Sequence, residues 1–208
     1  MYEGLLMAKI ICVANRKGGV GKTTLATNLA VALNNMGISI LIDAVEQQSA
    51  FKWANQRDDI ECIFIHSDLL EKLEQLDKEY EYILIDVAGR DSTIFREALL
   101  VSDTLIVPTQ PSLLDLQVLD YMQEKVKTAK QTNENLKAYV LINRAAVRTT
   151  ELKDAIEFIA EFDQFKLLKT VLFERKQFRD AIVESKSVTE MNASKAKDEL
   201  NQLIIELL

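Results

Sequence analysis

The sequence predicts an α/β fold: one domain built on a mainly parallel, twisted sheet with helices on both faces. Three observations predict it. Short apolar runs alternate with helix-patterned stretches from end to end, as they do where parallel strands are joined by crossover helices. A glycine-rich stretch, Arg16-Lys17-Gly18-Gly19-Val20-Gly21-Lys22-Thr23-Thr24, sits between the first apolar run and the first helical one. The 208 residues, 48% hydrophobic and 27% charged, suffice for one sizeable core in a globular chain. A single domain is expected over residues 8–208, with residues 1–7 as an extension or a stretch before an alternative start at Met7.

Taken in order, Lys9-Ile10-Ile11-Cys12-Val13-Ala14 reads as a buried strand, and residues 25–36, rich in Ala, Leu and Asn, as the helix after it. Further strands are expected at 38–42, 62–65, 82–87, 104–107, 138–142 and 169–173. Further helices are expected at 49–58, 68–79, 92–101, 112–131, 150–162, 175–184 and 193–208. Leu69, Leu70, Leu73 and Leu76 recur at helical spacing, as do Leu113, Leu116, Leu119 and Met122, and both stripes read as core faces. Pro108 and Pro111 bracket Thr109-Gln110 in a turn, and Ser112 is placed to cap the helix that follows. In an open sheet of this kind, ligands gather beyond the carboxyl ends of the strands.

The glycine-rich stretch has the context of a phosphate-binding loop, strand before and helix after. Gly18, Gly19 and Gly21 let the backbone turn its N–H groups inward, so that they and the start of the helix at Thr23 and Thr24 face an anion. Lys22 then reaches the β- and γ-phosphates, and the Thr23 hydroxyl is a ligand for Mg²⁺. Tyr82-Ile83-Leu84-Ile85-Asp86 is an apolar strand ending in a carboxylate, which suits Mg²⁺ held through water. Gly89 permits a loop near the γ-phosphate, and Asp91 belongs either to that loop or to a helix cap.

Composition sets further bounds. The net charge of −7 argues against a uniformly basic DNA-coating protein and leaves room for a local basic patch. No apolar run reaches the roughly 18 residues of a membrane span, and the first six residues lack the basic head and apolar core of a signal peptide. Cys12 and Cys62 read as buried free thiols, in keeping with a reducing cytoplasm. His66 is without a second metal-ligating neighbour and reads as structural or exposed.

Lys17 to Thr23 spell K-G-G-x-G-K-[ST] without a break, whereas the common loop has its first glycine where Arg16 stands. This resembles the deviant Walker A motif of the ParA/MinD family of ATPases, and the resemblance implies a P-loop NTPase fold, ATP and Mg²⁺. It implies an ATP-dependent homodimer in which Lys17 reaches across to the partner's nucleotide. Val20 and Thr24 enter as loop residues, Lys22 as a catalytic cation, and Asp86 as the Walker B carboxylate. The stretch 106–115 resembles a further segment of the family. In P-loop proteins of this type an Asn or Arg after the strand at 138–142 reads the base, which makes Asn143 the candidate. At 172–181 the family carries a strand and a basic loop, so Arg175, Lys176 and Arg179 are candidates for contact with DNA phosphates or else a solvated face. Arg148, Lys166, Lys195 and Lys197 are candidate extensions of that patch.

One segment departs from the family. Its D-x-D-P-Q pattern finds the first aspartate at Asp43 and the glutamine at Gln47, but Val45 and Glu46 stand where the second aspartate and the proline belong. The resemblance makes Asp43 a catalytic and metal-associated residue, and gives position 45 the task of orienting water. Valine has no acceptor, and losing such a group costs roughly 10²–10⁴ in rate. Three readings are open: a deliberate substitution that traps the ATP state, a natural sequence in which Glu46 or a partner compensates, or a branch that uses binding more than hydrolysis. The function implied is a partition ATPase for DNA such as a plasmid. It would bind DNA without sequence preference and be stimulated by a ParB-like centromere-binding partner, in the cytoplasm and on the nucleoid when ATP-bound. The alternatives are a nucleotide-locked switch with negligible turnover, and a positioning ATPase for a protein cargo or the division machinery. The last helix is amphipathic, but Asp198, Glu199 and Glu206 oppose anionic lipid, so no membrane partner is expected.

Overall fold

The computed structural model describes residues 8–147 and 149–208; the stretch 1–7 with its alternative start, and Arg148 of the candidate patch, lie outside the described residues. Strand β1 (Lys9–Asn15) runs through the middle of a seven-stranded sheet. On one side it pairs with β4 (Tyr82–Ala88), and beyond that lie β2 (Ser39–Ala44) and the edge strand β3 (Cys62–Phe64). On the other side come β5 (Thr104–Thr109), β6 (Lys137–Ile142) and β7 (Lys166–Leu167). Every pairing is parallel, and the register sets Val13 beside Asp86 and Asp86 beside Asp43, so the carboxyl ends of three strands meet at one level.

The strands read as unbroken apolar runs because both faces are covered. In β1, Ile10, Cys12 and Ala14 point into one core while Ile11 and Val13 point into the other. The second core is closed by α1 (Lys22–Asn34), α2 (Ser49–Ala54), α8 (Lys176–Val183) and α9 (Lys195–Leu207), through Leu29, Trp53, Ala181, Leu200 and Leu203. The first is closed by α3 (Leu69–Leu76), α4 (Thr93–Val101), α6 (Val118–Ala129) and α7 (Glu151–Ile159), through Leu73, Phe95, Met122 and Ala155. Among the described residues no helix is long and apolar enough to cross a membrane.

Three sequence expectations are revised. The helix expected at 112–131 is two, α5 (Leu113–Leu116) and α6, meeting at Gln117. The helix expected at 49–58 ends at Ala54. The strand expected at 169–173 does not form. Glu206, near the end of α9, accepts the N–H of Lys169 at 2.7 Å and of Thr170 at 2.9 Å, which takes both donors out of the sheet. The chain returns to the β6 side only at Leu172, whose N–H meets the Ile142 carbonyl at 3.0 Å.

Candidate nucleotide site

The glycine loop links β1 to α1 at the carboxyl edge of the sheet. Gly19 and Gly21 have φ of +78° and +89°, backbone that side-chain-bearing residues avoid. Its shape is set from outside by four side chains. Asn15, fully buried at the end of β1, donates to the Pro108 carbonyl at 2.8 Å and accepts the Lys17 N–H at 2.9 Å. Asn143 donates to the Val20 carbonyl at 2.7 Å, so close that a Cβ on Gly21 would stand 2.5 Å from its amide nitrogen. The Gly19 carbonyl accepts from Arg144 Nη1 at 2.7 Å and from Gln110 Nε2 at 3.4 Å. With these carbonyls tied to side chains, the N–H groups of Gly18, Gly19, Val20 and Gly21 have no acceptor among the described residues. A turn of free N–H groups at a helix start is an anion cradle.

Below the loop, Thr23 Oγ1 donates to Asp86 Oδ2 at 2.6 Å. Asp86 is fully buried, and its Oδ1 has no hydrogen-bond partner. Burial pushes the Asp86 carboxyl up to about 7, with the Asp43 charge adding to the rise and Thr23 and Lys22 opposing it. An orphaned carboxylate oxygen beside a hydroxyl is a donor set that a hard divalent cation such as Mg²⁺ takes. Lys22 Nζ donates to the Lys17 carbonyl at 3.0 Å, and burial lowers its pKa against the pull of Asp86.

Asp43, near the end of β2 and in register with Asp86, is held by backbone N–H groups. Its Oδ1 accepts the Val45 N–H and its Oδ2 the Phe51 N–H, both at 2.9 Å. The carboxylate therefore shapes the β2–α2 turn and bonds an N–H in the first turn of α2. Val45 lies half-buried in the cavity wall, and Glu46, exposed, is outside that wall. Lys17 Nζ stands 3.6 Å from the Asp115 carboxylate of α5, which is also bonded by the Ser112 hydroxyl.

The loop opens into a cavity of about 620 Å³, within the range of small-molecule sites. Its phosphate end is Gly18, Gly19, Gly21, Lys22, Thr23 and Thr24; its far end is apolar, with Leu172, Phe173, Phe178 and Ile182. Asn143, which the sequence offers as the base reader, lines the same cavity. Its amide is committed to the loop, one end to Val20 and the other accepting the Arg144 N–H at 3.0 Å. The basic trio is likewise engaged within the chain. Arg175 Nε donates to Glu199 at 2.8 Å, Lys176 pairs with Asp180 at 3.5 Å, and Arg179 bonds Glu174. Arg175 and Arg179 line the same cavity. Lys197 donates to the Met191 carbonyl at 3.3 Å, and Lys166 lies on the edge strand β7. Sequence reading missed Arg144 and Glu174; only the position of Arg144 beside Asn143 hinted at it. Both cysteines are free, and burial pushes the Cys62 thiol up to about 12.

The family model described as the CobQ/CobB/MinD/ParA nucleotide binding domain matches residues 11–188. The chain is 30% identical to "Maintenance of carboxysome distribution protein A" of Halothiobacillus neapolitanus over 95% of each chain. Its fold matches an aspartate-to-alanine variant of Cyanothece McdA in complex with ATP, with TM-score 0.81 and 17% identity over 97% of this chain and 96% of that one. It also matches the septum site-determining protein MinD of Pyrococcus horikoshii OT3 with Mg-ADP, with TM-score 0.74 and 20% identity over 97% and 96%.

Proposed function

The chain belongs to the CobQ/CobB/MinD/ParA nucleotide-binding family, and on that premise we propose that it is an ATP-dependent positioning ATPase of the ParA type, serving a protein cargo rather than a plasmid. The nucleotide half rests on the free N–H groups of the glycine loop directly above the Thr23–Asp86 pair and its orphaned oxygen. The cargo half rests on the 30% identity, over 95% of both chains, with a protein that maintains carboxysome distribution. That likeness favours positioning over the plasmid partition, with a ParB-like partner, implied by the motifs alone.

Each residue then has a task. The N–H groups of Gly18 to Gly21 receive the polyphosphate, and Lys22 leaves the Lys17 carbonyl for its β- and γ-oxygens. Thr23 and Asp86 are the residues that would hold Mg²⁺, which when bound would neutralise phosphate charge. Leu172, Phe173 and Phe178 give the base an apolar seat. Lys17 exchanges Asp115 for the nucleotide of a second copy in an ATP-dependent homodimer. DNA serves as the surface the dimer holds, bound without sequence preference; Arg175, Lys176 and Arg179 contact it only by giving up their present carboxylates. The domain spans residues 8–208. Turnover is slow, because Val45 offers no acceptor to a water. A nucleotide-locked switch with negligible turnover remains the second reading, and the same Val45 favours it.

Phosphate release and self-association, each measured with ATP and with ADP for this chain and for Val45→Asp, test the proposal. The expected result is self-association with ATP and not ADP, and turnover raised at least about tenfold by the aspartate, a barrier change of roughly 1.4 kcal/mol. Absence of ATP binding defeats the reading. Equal turnover of the two chains removes position 45 from the mechanism. Loss of the gene separates the cargoes: clustered protein bodies with normal plasmid retention support the proposal, and plasmid loss with normally spaced bodies overturns its cargo half.

A further inference from the structure

Arg144 stands outside the motif yet has three unusual features at once. Its φ is +54°, a left-handed backbone that costs an ordinary residue energy and persists where the surroundings enforce it. Its guanidinium forks, with Nη1 on the Gly19 carbonyl at 2.7 Å and Nε on Glu174 at 2.6 Å. The other oxygen of Glu174 takes Arg179 from α8. A carbonyl at the apex of the phosphate loop is thereby joined, through one carboxylate, to the helix on the far side of the cavity. Gly19 itself has φ +78°, and its carbonyl takes two side-chain donors, Arg144 and, at longer range, Gln110.

Peptide orientation decides what the loop does. A peptide with its carbonyl outward aims the adjoining N–H inward; flipped, it presents a carbonyl oxygen to the phosphates and repels them. We propose that Arg144 is a positioning residue for the phosphate loop: strapped to Glu174 in the cavity wall, it engages the Gly19 carbonyl so that this oxygen does not turn toward a polyphosphate and the loop's N–H groups stay free to bind it. The inference rests on the nucleotide reading of the cavity and adds to it a residue that acts through the loop.

A direct contact between Arg144 and phosphate predicts the opposite sign in one variant, which makes the idea testable. If Arg144 touched phosphate, neutralising Glu174 would remove a nearby negative charge and tighten ATP binding. If Arg144 works through Gly19, losing Glu174 slackens the strap and weakens ATP binding. The experiment is equilibrium binding of ATP and of adenosine to the wild-type chain, Arg144→Ala, Arg144→Lys and Glu174→Gln, with melting of each nucleotide-free chain alongside. Expected are an ATP affinity at least about tenfold lower in Arg144→Ala, roughly 1.4 kcal/mol, and a smaller loss in Glu174→Gln. Adenosine affinity and melting stay near wild type. Arg144→Lys recovers only part, because an ammonium lacks the planar fork that serves both partners. Unchanged ATP affinity in Arg144→Ala, equal losses for ATP and adenosine, or tighter ATP binding in Glu174→Gln each overturn the proposal. A wild-type chain that binds adenosine but not ATP overturns the nucleotide reading beneath it as well.

Discussion

Asp86 is a carboxyl buried away from water. One oxygen has only the Thr23 hydroxyl and the other has nothing, and burial lifts its pKa to about 7. Asp86→Asn is therefore expected to raise the unfolding free energy of the metal-free chain at pH 8 by on the order of 1 kcal/mol, and to abolish the Mg²⁺-dependent part of ATP binding; thermal melts with and without Mg²⁺ check both. Legibility in the sequence divides sharply at this scale. The glycine turn between β1 and α1 was readable because it is written in consecutive residues. Asp86 was readable because an apolar strand ends on it. The hold of Asn143 and Arg144 on the loop was not readable because their partners, Val20 and Gly19, lie more than a hundred residues earlier, and spacing along the chain carries no record of that contact. The two backbone N–H groups that Asp43 takes were not readable either, because the motif does not show which groups a carboxylate will meet.

At the scale of elements, the base of the cavity is clamped from behind. Arg57, just past α2, donates to both oxygens of Glu190 at 2.7 and 2.8 Å, to Asp59, and to the Ser185 carbonyl, and lies over the Trp53 ring. Glu190 also accepts the Ser187 N–H at 2.7 Å, closing the short turn that follows α8. Ser187 in turn donates to Asn28 of α1, so the clamp ties α2, α8 and the phosphate-loop helix together. The Arg57 hydrogen bond, first among its neighbours, holds the Glu190 carboxyl below its ordinary 4.5. A depressed folded-state value means that the stabilisation is present above that ordinary pKa and disappears as the pH falls through the folded one. Glu190→Gln is expected to cost about 1 kcal/mol at pH 7, discounted for solvent exposure, and the difference from wild type in urea unfolding should shrink below pH 4.5. A constant difference across that range would remove the ion pair as its cause. The missed break at 169–173 belongs to this scale: its apolar pattern favours a strand, and Glu206, from another helix, outbids the sheet for two N–H groups.

At the scale of the whole molecule, the alternation of strands and helices was legible for the first six strands, while the seventh, β7 at Lys166–Leu167, lies just before the run expected to form it. The self-association proposed above depends on Lys17 leaving Asp115. Lys17→Ala is expected to leave ATP binding by the single chain within about twofold and to abolish its ATP-dependent change in sedimentation; retention of that change would place the contact elsewhere. The sheet's borders carry a further consequence. β3 has three residues and β7 only two, and beyond β7 the next donors are already taken by Glu206. Long unpaired strands at a border are templates for fibre growth. These borders are too short to seed it, so concentrated protein is expected to resist fibre growth through its sheet edges.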